Sequence, residues 1–216
     1  MDKIGVYDVF SWTDLLNCTW AHFKMVFMAE LIAISVGVPL GILVTRPGFK
    51  KLATPVIGGA NVGQTIPSLA LIAIMAPLLG FGLQSAVVAL FIYGLLPVLR
   101  NAYAGINNIN PAIVEAAKAM GMTRGQIARK IELPLALPVI MAGIRISTVI
   151  TVGTAELAVL VGGAGLGRIT LTGVFAREAL LILQGAAPTA AMAITLGFIL
   201  ERIEKWISPR GLKIEV

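Results

Sequence analysis

The chain has 216 residues, 57% of them hydrophobic and only 13% charged, with a formal net charge of +6 and a mean hydropathy of +0.90. That balance lies outside the range of a water-soluble domain, so the positive charge points to membrane topology and not to nucleic acid. A single cysteine, Cys18, and a single histidine, His22, exclude an internal disulfide and a cysteine-cluster metal site.

Crossing about 30 Å of hydrocarbon takes roughly 20 apolar residues. Windows of that kind occur near 23–45, 55–79, 83–99, 137–160 and 179–200, which predicts an all-α integral membrane protein with about five transmembrane helices in one domain, 1–216. The first window follows Asp2, Asp8 and Asp14 without a small-residue cleavage site, so it reads as a retained helix with His22 at headgroup level. The second is interrupted by Gln64, Pro67 and Pro77 and the third is short, which makes both candidates for tilt or breakage. Spans alternating from an outer N-terminus to a cytoplasmic C-terminus put Arg46, Lys50, Lys51, Arg100, the 118–130 cluster and the basic tail, including Arg210 and Lys213, inside. Outside remain only Lys3, Lys24, Arg168 and Arg177, as the positive-inside rule requires.

Within the first span, Glu30 is an embedded acid, and Gly37 and Gly41 have the spacing of a close helix contact, as do Gly59 and Gly63 in the second. Gln64, Thr65 and Ser68 flank Pro67, where they either line a pathway or satisfy backbone groups freed by the proline.

The most polar long stretch is "EAAKAMGMTRGQIARKIELP", 115–134. Asn110 and Pro111 predict a helix start, with Ile113, Ala116, Ala117 and Met120 as one apolar stripe. Gly121 is placed to end that helix. Thr123 and Gln126 form a capping-box signal for a second short helix, which Leu133-Pro134 should stop. The pattern predicts a cytoplasmic hairpin over 111–134, readable as a docking knob or as an ordinary polar surface helix between spans.

In the fourth span, Arg145 and Glu156 stand 11 residues apart, nearly three helical turns, with Thr148 and Val152 between them on a candidate cavity wall. Glu30 and Glu156 both fall in the outer half of the membrane. There they either form an acidic vestibule for a cationic solute or pair with a neighbouring helix or Arg145. "VGGAGLGRIT", 161–170, lacks the βαβ surroundings of a nucleotide loop and reads as a tight turn at the outer end of that span.

The spacing Glu115-Ala116-Ala117, three residues, Gly121, nine residues, Ile131, one residue, Leu133-Pro134 resembles the EAA signature of ABC importer permeases. The stretches 61–80, 89–123 and 133–167 resemble the glycine betaine, carnitine and choline branch of that family. The resemblance implies a type I importer permease of the bacterial cytoplasmic membrane. In that family the 111–134 segment is a coupling helix docked on an ATP-binding-cassette ATPase, with Glu115, Ala116, Ala117, Gly121, Leu133 and Pro134 as the coupling residues. It also implies a second permease subunit, identical or paralogous, and an extracytoplasmic solute-binding protein.

No GxxxxGK[ST] loop and no Gly-Lys dipeptide occur, so ATP and Mg are expected in the partner ATPase, with no cofactor, metal or catalytic residue on this chain. The motif is equally compatible with an importer for methionine or another amino acid. An ion-coupled secondary transporter would use Glu30, Arg145 and Glu156 as relays, but internal repeats of the kind such carriers show are not evident.

Overall fold

The computed structural model describes residues 10–207, so the expectations placed on Asp2, Lys3, Asp8, Arg210 and Lys213 lie outside the described residues. Helix α1 runs Trp12–Leu43 and is opened by a capping box. Ser11 Oγ accepts the Asp14 N–H while the Asp14 carboxylate accepts the Ser11 N–H, an arrangement worth about 1 kcal/mol. After a 3-10 turn at Lys50–Leu52 come α2, Ala53–Thr65, and α3, Ser68–Leu79. Helix α4, Leu83–Asn107, is the central pillar and packs against α1, α2, α3 and α7. The hairpin helices are α5, Pro111–Ala119, and α6, Arg124–Ile127. Then follow α7, Leu133–Ala155, α8, Gly167–Ala176, and α9, Ala179–Ile207.

Four helical stretches among the described residues are long and apolar enough to cross a membrane: Trp12–Leu43, Leu83–Asn107, Arg124–Val161 and Ala179–Ile207. The bent pair Lys50–Thr65 and Ser68–Leu79 makes a fifth if it counts as one span. The predicted second span is therefore broken, by 98°, at Ile66-Pro67. Pro77 sits inside α3, and Pro39, Pro97, Pro138 and Pro188 lie within α1, α4, α7 and α9. The third span is not short. Arg100 ends its apolar window, but the helix continues because Ala102, Gly105 and Ile106 are buried beyond it.

Lipid is as apolar as leucine, so close packing must come from shape and not from exclusion of water. A Cβ on Gly37 would lie 2.9 Å from Val98 Cγ1, and one on Gly41 would lie 2.6 Å from the Leu99 carbonyl oxygen, so the first glycine pair seats α1 on α4. The second pair divides: Gly63 admits Ile92, while Gly59 faces open space.

Pro134 does not stop the hairpin's second helix. Residues Ala128–Glu132 form a π turn in which the Leu133 N–H reaches the Ala128 carbonyl, and the helix continues into α7 with Pro134 in its first turn. A proline ring collides with the carbonyl four residues back in a regular helix, and the wider turn relieves that collision.

At the far end, α7 tightens into a 3-10 segment, Glu156–Val161, closed by left-handed Gly162 at φ 82°. The glycine stretch is the tight corner the sequence predicts. A Cβ on Gly163 would lie 2.7 Å from the Ala158 carbonyl oxygen, and one on Gly167 would lie 1.9 Å from that of Glu156.

Candidate functional site

The hairpin is built by local chemistry at each corner. The Asn110 side chain accepts the Ala112 N–H at 3.0 Å, with Pro111 at the first helical position. Gly121, at φ 79°, closes α5 through Gly121 N–H to Lys118 O at 2.9 Å and Met122 N–H to Ala117 O at 3.2 Å. Thr123 and Gln126 make both bonds of a capping box.

The expected apolar stripe splits. Ala117 is 1% exposed and Ile127 is buried beside the bundle, whereas Ile113 (42%), Met120 (73%) and Ala116 stay open with Glu115, Lys118 and Arg124 around them. An amphipathic helix that leaves part of its apolar face uncovered offers a contact surface. A cleft of about 770 Å³ separates the hairpin from the turn after α1, walled by Phe49, Val114 and Met122, with Lys118 and Arg124 also lining it. Across it Arg46 Nη1 donates to Glu132 Oε2 at 2.5 Å, tying the C-terminal end of α1 to the π turn.

The break in the second span is repaired by a reciprocal clamp. Pro97 brings no N–H to the Tyr93 carbonyl, and Gln64 Nε2 supplies the donor at 2.7 Å. In return the Tyr93 hydroxyl donates to the Ile66 carbonyl at the break. The backbone group that Gln64 satisfies is thus one freed by Pro97 on α4, not one freed by Pro67 beside it. Thr65 donates to Val62 O at 2.8 Å on its own helix, and Ser68 opens α3 half-buried. Replacing Gln64 with leucine should leave the Tyr93 carbonyl unpaired and destabilise the protein by about 1–3 kcal/mol, read as a lowered Tm in detergent.

The embedded charges go to different partners. Glu30 is 6% exposed and turned into the bundle: Ser147 Oγ donates to it at 2.8 Å and Thr151 Oγ1 at 2.5 Å, both from α7. Gly94 makes the room, since a Cβ there would lie 2.8 Å from Ser147 Oγ and 3.0 Å from Glu30 Oε1. Glu156 takes a hydrogen bond from Thr189 on α9, and Arg145 meets Glu201, also on α9, at 3.5 Å. Thr148 is buried and donates to Ile144 O in its own helix, and Val152 is fully buried. In this chain the Arg145–Glu156 face is thus turned to α9, and among the described residues Arg145 pairs with neither Glu30 nor Glu156.

His22 is enclosed by protein and does not face lipid or headgroups. It is 0% exposed, and Leu166 N–H donates to Nδ1 at 3.3 Å, leaving Nε2–H for the Val152 carbonyl at 3.1 Å. That carbonyl is available because the 3-10 turn directs the Glu156 N–H to Gly153. His22 therefore staples α1 to the end of α7 and to the glycine corner.

Tyr93, Glu132, Ser147 and Thr151 escape the sequence reading, and Arg46 enters it only as a charge that sets topology. Only Ser147 and Thr151, hydroxyls four apart on a membrane helix, carried a usable signal. No group of three or more potential metal ligands occurs among the described residues.

The fold, with its broken second span and partly uncovered hairpin, is that of type I ABC importer permeases. It overlays a chain of the inward-facing MetNI methionine ABC transporter with a TM-score of 0.82 at 27% identity, covering 93% of this chain and 100% of that one. The family model described as "Binding-protein-dependent transport system inner membrane component" matches residues 37–212, and the chain belongs to that family of membrane transport subunits.

Its relatives include the choline transport system permease protein OpuBB of Bacillus subtilis, 43% identical over 93% of this chain and 91% of that protein. The carnitine transport permease protein OpuCD of Listeria monocytogenes is 45% identical over 88% and 85%. The osmoprotectant import permease protein OsmW of Salmonella typhimurium is 39% identical over 92% and 94%.

Proposed function

We propose that this chain is the membrane-spanning subunit of an ABC importer for a quaternary-amine compatible solute such as glycine betaine, choline or carnitine. The observation that carries the reading is near-full-length similarity, at 43–45% identity, to permeases named for choline and carnitine. The methionine transporter it overlays is 27% identical, which favours the quaternary amines over an amino acid.

In this reading the chain performs no covalent chemistry. A separate ATPase binds ATP and Mg, an extracytoplasmic protein delivers the solute, and a second permease subunit completes the pathway in the bacterial cytoplasmic membrane. The uncovered Ile113, Ala116 and Met120 face of α5 receives the ATPase, and closure of the ATPase dimer biases the permease between outward- and inward-open states.

The test is reconstitution in vesicles with the ATPase and the solute-binding protein. ATP hydrolysis and uptake should be stimulated by glycine betaine, choline or carnitine. Stimulation by methionine alone would overturn the solute, and accumulation without the ATPase would overturn the mechanism.

A further inference from the structure

The open faces of the membrane helices differ in composition. Those of α1, α3 and α9 carry large apolar side chains, for example Phe27, Leu31, Leu78, Leu183 and Ile194, each at least half exposed, as contact with lipid requires. On α2, Val62 is the only large apolar residue so exposed among the described residues. Its open side presents Thr54, Gly58, Asn61 and Thr65, successive positions of one helical stripe. A Cβ on Gly58 or on neighbouring Gly59 would meet nothing within 4 Å.

An amide held against hydrocarbon is costly, so this face looks onto water or protein. The bend favours water. Pro67 brings no N–H to the Gly63 carbonyl, and irregular backbone at membrane depth persists only where protein buries it or a water-filled cavity borders it.

We infer that the Thr54–Asn61–Thr65 face of α2 lines the solute pathway and that Asn61 is a specificity-determining residue that hydrogen-bonds the oxygen end of the solute. This rests on the solute class proposed above. A quaternary ammonium group has no N–H, so a hydrogen-bonding side chain can engage such a solute only through its carboxylate or hydroxyl. Gln64 spends its amide on Tyr93, and the Thr65 proton goes to Val62, which leaves the Asn61 amide and, about two turns away, the Thr54 hydroxyl as donors on this face, with Asn61 the nearer to the bend. The path thereby shifts from Gln64, which holds the fold, to a residue one turn earlier.

The experiment uses the reconstituted importer with Cys18→Ser, so that an introduced Asn61→Cys is the only cysteine on this chain. A membrane-impermeant maleimide should label Asn61→Cys, saturating glycine betaine should slow that labelling several-fold, and Leu183→Cys on the lipid-facing side of α9 should stay unlabelled. Separately, Asn61→Asp should lower glycine betaine import about tenfold relative to choline, which has no carboxylate to repel.

Labelling no faster than at Leu183→Cys, labelling indifferent to solute, or oxidative cross-linking of Asn61→Cys between two copies without labelling would each overturn the inference. So would an unchanged betaine-to-choline ratio. If the unsubstituted importer carries no quaternary amine, the solute reading fails instead.

Discussion

Replacing Gly121 with valine is expected to cut ATP-driven solute import by at least about tenfold while the protein stays folded and inserted. Gly121 holds φ at 79°, and the bonds that close α5 run through it and Met122 to Lys118 and Ala117. A β-branched residue in that left-handed region costs about 1–2 kcal/mol, enough to redirect a short surface helix but not to unfold a bundle of long ones. Because Gly121 faces open space, a changed backbone and not a clash would be responsible. Asparagine tolerates that conformation, so Gly121→Asn should retain most of the import. Uptake per ATP hydrolysed in vesicles checks both variants. Full coupling in Gly121→Val would remove the hairpin from the proposed mechanism.

The second large effect concerns stability. Gly167→Leu should prevent recovery of a folded protein, because the added Cβ would stand 1.9 Å from the Glu156 carbonyl oxygen and 2.7 Å from its carbon. Both are backbone atoms that no rotamer change can move aside, and relief requires opening the corner that His22 staples. The expected cost is at least about 3 kcal/mol. Gly59→Ala is the contrast, since nothing lies within 4 Å of its Cβ and an alanine within a helix is favoured over glycine by about 0.5–1 kcal/mol. Size-exclusion profiles and melting curves in detergent should separate the two. A Gly167→Leu protein with an unaltered Tm would contradict the corner's geometry.

What the sequence made legible was local. The Asn110 cap, the left-handed Gly121, the Thr123–Gln126 box and the Pro67 break all depend on residues within a few positions of one another, and each formed as the pattern predicts. What the sequence leaves open or misplaces depends mostly on distant partners. His22 resembles a headgroup residue until Val152 and Leu166, more than a hundred residues away, enclose it. Glu30 meets its hydroxyl partners only once α7 lies beside α1. The span after Leu83 looked short because a hydropathy window measures compatibility with hydrocarbon, whereas the helix is prolonged by tertiary burial of Ala102 and Ile106. Pro134 suggested a stop because the local rule takes no account of the π turn that absorbs it.

That π turn has a geometric consequence. A wide turn carries one surplus residue, and one residue of α-helix corresponds to about 100° of rotation. The compass bearing of the hairpin about the α7 axis is therefore set by a single position within Ala128–Glu132. Excising that position would leave the knob chemically intact yet swing it more than a quarter circle, so that it addresses a different side of the molecule.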